Sequence, residues 1–344
     1  MKIATFGEIM MRLSTPDQER IQQNNSFEVS FAGSEANVAV DLAIWGLQTS
    51  FITSLPDNEL GEKVLFDINR FNVDTSNINQ IKNGRLGMLF LEKGANQLGS
   101  KVIYDRSNSA FANHIFSEEF FENAFSDCHW LHWSGITPGL GQNSITNINN
   151  ALNAASKKKL SISCDLNYRG KLWDFGVKPN EIMPSLLQNA RVILGNEEDA
   201  LIMLGLNNLN IDVEKGEIDV NTYKNICKAI FEKFPNCEIV CFSIRESKSA
   251  DHNNWSSILA TKNDFLISTK YEIKNIVDRV GAGDSFSAGI IYGLNTFNGD
   301  LQQTLEFATA ASCLKHSIKG DYCICHANEI MKLMQGISSG RINR

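Results

Sequence analysis

The sequence has no run of uncharged apolar residues approaching the roughly 18 to 20 that a membrane-spanning helix requires. Its first stretch, MKIATFGEIMMRL, places Glu8 and Arg12 where a signal peptide would be apolar, so no signal is read there. Positive charge is also scarce. The chain has 32 Lys and Arg against 39 Asp and Glu, a net charge of −7, with no basic tail or long basic run. That balance argues against nucleic acid as a partner, because phosphate backbones are held by clustered cations. Paired cysteines are missing too: Cys128, Cys164, Cys227, Cys237, Cys241, Cys313, Cys323 and Cys325 form no C-x-x-C pairs. Most stand in apolar contexts, as small buried hydrophobes of a reducing compartment do. His129 and His132 in CHWLHW have no carboxylate beside them and read as core or strand-end histidines, not metal ligands. With neither a low-complexity linker nor an internal repeat, a soluble cytoplasmic protein with one domain over residues 1–344 is expected, without a membrane partner.

Apolar residues make up 43% of the chain, ample for a large core. Short apolar runs alternate with helical patterns: KIATFG, NVAVDLAIWGL, TSFITSL, GEKVLFDINRF, WLHWSGI, NSITNINNALNAASKKK, LSISCDLN, EIMPSLLQN, ARVILGN and EEDALIMLGL. This order predicts a doubly wound α/β fold with a mostly parallel sheet between helices. Two segments break the rhythm, residues 12–31 and 85–112; in the second, two β-rich runs flank KGANQLGS. They predict a small separate sheet, placed to cover the crevice at the carboxyl ends of the strands as a lid.

The stretch NIVDRVGAGDSFSAG reads as a loop feeding a helix that starts near Asp284. Aspartate is a good N-cap residue, so structural capping is one reading. The other is an anion site, since the first N–H groups of a helix have no partner inside it. A Walker P-loop is excluded because no lysine follows the glycines, and a dinucleotide fingerprint fails where Phe286 replaces its third glycine. What remains is an anion hole in which the N–H groups of Ala282, Gly283 and Asp284 converge on a phosphoryl group while Asp284 accepts a proton.

VDRVGAGDSFSAG closely resembles the C-terminal signature of the ribokinase-like, PfkB-type carbohydrate kinases, and FAGSEANVAVDLAIWGL resembles their N-terminal signature. The element order is similar over essentially the whole chain. The resemblance implies a three-layer αβα kinase domain with a β lid, using ATP and Mg2+. It implies Asp284 as the general base, with Gly281, Ala282 and Gly283 forming the anion hole. Gly33, Ser34 and Asn37 match the sugar-binding turn, with Ala32 where many relatives have glycine. Asp278 stands where the family places a residue near a monovalent cation or the nucleotide, and an ordinary strand-end carboxylate is the other reading. GNEED is similar to the N-x-x-E motif that organises magnesium through water, which implies Asn196 and, in place of glutamate, Asp199. The ATP side implied by the resemblance comprises Asn167, Arg169, Asn196, Ser243, Arg245, Gly281, Gly283, Lys315 and His316, although IRESKSADHNNWSSI replaces the usual glycine-containing turn.

The segments GEIMMRLS, LFLEKG, KVIYDRSNSA, CDLNYRGKLW and NEEDA are most similar to 2-keto-3-deoxygluconate kinases. Tyr104 matches a sugar-contacting position, whereas Leu89 lies where several relatives carry tyrosine. Two arginines, Arg106 and Arg169, fit an acid sugar, because a guanidinium binds a carboxylate through two hydrogen bonds. A kinase for a neutral sugar such as fructose, or for a nucleoside, and a non-catalytic sugar sensor are the alternatives. Pairing of lid edges between subunits would give a homo-oligomer.

Overall fold

The computed structural model describes residues 1–206 and 220–337. Its large sheet combines β1 (Lys2–Phe6), β4 (Gln48–Ile52), β9 (Cys128–Ser134), β10 (Ser161–Asp165), β11 (Val192–Gly195), β12 (Ile239–Ser249), β13 (His252–Ala260), β14 (Phe265–Ile267) and β15 (Tyr271–Lys274). The order is β14-β13-β12-β11-β10-β9-β1-β4, with β15 also beside β13. Pairing is parallel from β4 to β12, and β13 returns antiparallel. A second sheet has the order β3-β2-β7-β8, from β3 (Glu28–Ala32), β2 (Met10–Ser14), β7 (Met88–Glu92) and β8 (Lys101–Asp105). β5 (Ser54–Pro56) and β6 (Asn79–Ile81) form a two-stranded ribbon. No described helix is long and apolar enough to cross a membrane.

The helices are α1 (Ser34–Ile44), α2 (Glu59–Asn69), α3 (Ala110–Asn113), α4 (Glu118–Ala124), α5 (Gln142–Lys157), α6 (Pro179–Leu186), α7 (Glu197–Leu204), α8 (Val220–Lys233), α9 (Ala282–Thr296), α10 (Leu301–Lys315) and α11 (Ala327–Met334). They cover both faces of the large sheet, because its parallel strands are apolar on both. Along β9, Trp130 enters a core shared with α1, α9, α10 and α11, while Leu131 and Trp133 enter the opposite core with α4 to α8. That switch is the period of two expected of a strand.

The expected α/β alternation and separate small sheet are both present. Two boundaries differ from the sequence reading. The segment after EIVCFS, where many relatives have a glycine-containing turn, is strand: β12 continues to Ser249 and pairs back with β13 as a long hairpin, its polar residues alternating along a half-buried ribbon. The helix after VGAG begins at Ala282 with Gly281 as its N-cap, which puts Asp284 inside the first turn.

α9 and α10 pack closely because α9 presents glycine to its neighbour. A Cβ on Gly289 would lie 2.4 Å from the Cα of Ala308. Gly289→Val should therefore lower unfolding free energy by about 3 kcal/mol through overpacking, measured by urea denaturation.

Candidate active site

Gly281 has φ +84°, and a Cβ there would meet the Asp321 carbonyl oxygen at 2.0 Å. Only glycine fits both the left-handed backbone and this approach. The turn then opens α9 with free donors. The Ala282 N–H reaches the Arg279 carbonyl at 3.4 Å, while those of Gly283 and Asp284 have no acceptor among the described residues. A Cβ on Gly283 would meet nothing within 4 Å, so the space in front of these donors is open.

Asp284 does not cap its own helix. Its carboxylate accepts hydrogen bonds from Ser34 Oγ and Asn37 Nδ2 of α1, each at 2.6 Å. Asn167 Nδ2 donates to Ser34 Oγ at 3.0 Å, extending the network to the loop after β10. Burial pushes the Asp284 carboxyl above its ordinary range, opposed by the Ser34 and Asn37 donors and by the charge of Arg169. A carboxylate held this way is a better base than a solvated one and remains able to ionise.

These groups open onto a cavity of about 450 Å³. Gly33, Ser34, Asn37, Tyr104, Arg106, Asn167, Arg169, Asn196, Asp199, Ser243, Arg245, Gly281, Ala282, Gly283, Asp284 and His316 all line it. Lys315 is the exception. It is fully buried, with its ammonium turned to the carbonyls of Asp278 and Ile318 and away from the cavity. A second depression of about 530 Å³, between α8 and the β13–β14 turn, is larger but contains none of the signature residues.

Residues 1–323 match the pfkB family carbohydrate kinase description. The chain belongs to the PfkB family of carbohydrate kinases. A crystal structure of 2-dehydro-3-deoxygluconokinase from Thermotoga maritima is 42% identical, covers 98% of this chain and 100% of its own, and has a TM-score of 0.89. The 2-dehydro-3-deoxygalactonokinase of Haloferax volcanii is 26% identical, with 98% of each chain covered. A ribokinase-like protein of Escherichia coli, solved with ATP and Mg2+, shares the fold at 17% identity and a TM-score of 0.77, over 97% of this chain and 99% of its own.

In this kinase the small sheet forms one wall of the cavity through Met10, Ala32, Leu89, Val102 and Tyr104. Leu89 pairs in register with Tyr104 across β7 and β8. Arg106 is buried, and its Nε and Nη2 both bond Glu8 Oε2, the Nε contact being 2.8 Å. Nη1 of Arg106 has no protein partner among the described residues. Glu8 Oε1 is buried without a partner beside Gly87. Glu8 lies in a strand-end run whose only sequence signal was the motif GEIMMRLS, and its role needed the fold to be seen.

On the opposite side, Arg245 and Arg279 both line the cavity, and the Arg279 guanidinium is tied to the Ala250 carbonyl. Asn253 also lines it, fully buried with both amide atoms unpartnered. Sequence reasoning missed Arg279, although it lies inside VDRVGAGD, and Asn253, which lies in the segment that replaces the usual glycine-containing turn. Burial pushes His316 down to about 4, so its ring is neutral at neutral pH and packs edge-on to Trp255 with centroids 5.0 Å apart.

Three further carboxyls crowd the site. Glu35, Asp165 and Asp199 are each pushed up to about 7, by burial first and also by neighbouring negative charge, that of Asp284 on Glu35 and Asp165 and that of Asp165 on Asp199. Asp165 accepts from Ser287 Oγ at 3.1 Å, whereas Asn196 spends its side-chain oxygen on capping the Asp199 N–H at 2.7 Å. Among the described residues no three carboxylates or imidazoles gather as a metal cage. Two crowded, cavity-facing carboxyls nonetheless suit a divalent ion held mainly by phosphate and water.

Glu35 Oε1 accepts from Ser134 N–H at 3.0 Å, Ser134 Oγ at 2.6 Å and Thr137 Oγ1 at 3.2 Å. Its folded value lies above that of the unfolded chain, so its contribution to stability is complete below the unfolded value and is lost as pH rises through about 7. Glu35→Gln should lose less stability than the parent between about pH 5 and pH 7.5 in urea titrations. An unchanged slope would show that Glu35 is ionised throughout.

Proposed function

We propose that this kinase transfers the γ-phosphoryl group of ATP to a primary hydroxyl of a 2-keto-3-deoxy sugar acid, with 2-keto-3-deoxygluconate giving 2-keto-3-deoxy-6-phosphogluconate. The observation that carries the chemistry is the Asp284 carboxylate beside the open Gly283 and Asp284 N–H groups. The acceptor hydroxyl gives its proton to Asp284, its oxygen bonds to the γ-phosphorus, and the bond from that phosphorus to the β,γ-bridging oxygen breaks to release ADP. The α9 N-terminus faces the charge that develops on the transferring group. Ser34 and Asn37 fix the carboxylate before the acceptor arrives, so little reorganisation is needed in the reaction. Mg2+ supplies charge neutralisation on the phosphates, and Asp199, Asp165 and Asn196 are positioned to hold its water shell.

The acid-sugar assignment rests on Arg169 and the free Nη1 of Arg106 in the same cavity, and on the names of the relatives above. The pairing of Arg106 with Glu8 favours a second acceptor class, neutral ketoses, because Glu8 offsets one positive charge. The small sheet acts as a lid contributed by residues 12–31 and 85–112, and its closure excludes water from the phosphoryl group. Val29 and Ile103, exposed on that sheet, support pairing of lids in a homodimer. Eight free cysteines support a reducing, cytoplasmic setting.

Magnesium-dependent ADP release with 2-keto-3-deoxygluconate, its galactonate epimer, fructose, ribose and adenosine tests the assignment. The acid sugars should dominate, and Arg106→Ala should raise their KM by about 10- to 100-fold, the worth of a charged hydrogen bond. Preference for fructose with Arg106→Ala unaffected would sink the substrate assignment. Asp284→Asn should keep ATP binding while kcat drops about 10²- to 10⁴-fold, as loss of a general base requires.

A further inference from the structure

Lys315 is the last residue of α10, and none of its surface is exposed. A buried ammonium must be compensated, and lysine is seldom buried without a carboxylate partner. Here Nζ donates to two main-chain carbonyls, Asp278 O at 3.3 Å and Ile318 O at 3.2 Å. One carbonyl belongs to the loop that enters the anion hole, the other to the turn after α10. The same two segments are joined by Val277 N–H and Asp278 N–H donating to His316 O, by Gly320 N–H donating to Asp278 Oδ2 at 3.2 Å, and by Ser312 Oγ donating to Ala282 O at 2.6 Å. The charges around Nζ are Asp278, Asp321 and Asp41, with Arg12 the other cation.

A free monovalent ion beside Asp278 would need oxygen ligands, and those of Asp278 are already engaged. Its carbonyl faces Lys315, Oδ1 accepts from Val280 N–H at 3.1 Å, and Oδ2 is shared by Arg12 and Gly320 N–H. The residues present do not fit a bound potassium ion. They fit a tethered ammonium, a monovalent cation of similar charge and ligand preference.

We infer that Lys315 is a positioning residue whose ammonium takes the place of a monovalent cation behind the Gly281–Asp284 turn, so that the enzyme needs no added potassium. The inference rests on the anion-hole role proposed for that turn. Removing the ammonium leaves Asp278 O and Ile318 O facing each other across a gap, with one buried positive charge fewer against Asp278 and Asp321. A small cation entering that gap restores what the side chain supplied.

The test compares the parent, Lys315→Ala and Lys315→Met with potassium or ammonium chloride replacing tetramethylammonium chloride at constant ionic strength. The parent should change rate by less than about twofold, whereas Lys315→Ala should lose about 100-fold in kcat with KM nearly unchanged and recover about tenfold on adding potassium or ammonium. Lys315→Met fills the gap without charge and should not recover. Thermal unfolding supplies a readout independent of turnover: potassium should raise the melting temperature of Lys315→Ala selectively, by about 4 °C. Lack of turnover by the parent with every acceptor would refute the kinase substrate reading, and the melting shift would still decide the role of Lys315. Strong potassium activation of the parent, near-parental kcat in Lys315→Ala without added cation, or equal responses of the two variants would overturn the inference. If Lys315→Ala does not fold, potassium dependence of the parent in rate or melting decides alone, independence being the expected result.

Discussion

The structure depends on one meeting of helix ends. α1 starts at Ser34 and α9 at Ala282, and both N-termini arrive at the carboxyl ends of the parallel strands. Two positive dipole ends brought together repel unless negative charge sits between them. Asp284 provides it, projecting from α9 and accepting from Ser34 and Asn37 of α1. The same carboxylate that makes the packing of α1 against α9 electrostatically acceptable is the one proposed as the base. The packing and the proposed chemistry therefore both favour a carboxylate at residue 284.

A second buried charge cluster ties this centre to the small sheet. Arg12 of β2 is almost entirely buried and bridges Asp278 and, at 2.7 Å, Asp321. Buried ion pairs give little net stability, but breaking one side is costly because a charge is left unpaired. The effect here is registration. β2 is held against the loop before the anion hole, so the sheet carrying Tyr104 cannot shift without disturbing the turn at Gly281. The small sheet and the turn at Gly281 are thereby coupled through the side chains of Arg12, Asp278 and Asp321.

Much of this was legible in sequence, and the reasons are local. Parallel strands such as ARVILGN are apolar throughout, and helices such as NSITNINNALNAASKKK carry a clear 3.6-residue period, so the fold class followed from pattern alone. The glycines of VGAGD were legible because a left-handed turn leading into a helix needs them. What stayed hidden was pairing across distance. Nothing near Arg12 marks it as the partner of residues more than 260 positions away, and nothing near Lys315 distinguishes an inward ammonium from one that reaches a phosphate. The polar run after Phe242 gave no strand signal because a half-buried antiparallel ribbon needs few apolar residues, and this concealed Asn253.

Glu8 alters how charge in the sugar half of the cavity should be weighed. Counting Arg106 and Arg169 as two free cations overstates the field, because Arg106 shares a buried oxygen with Glu8. A neutralised guanidinium still has a fixed fork, and pairing with Glu8 locks its rotamer, leaving Nη1 without a protein partner among the described residues while Glu8 Oε1 is buried. On the proposed reading, recognition through Arg106 depends on placing an acceptor at Nη1 more than on net charge. The proposed sugar acid would offer a carboxylate oxygen to that donor. A ligand that places no oxygen at Nη1 leaves that donor unmet, at a cost of about 1 to 3 kcal/mol, whereas a ketose hydroxyl placed there meets it without the added charge.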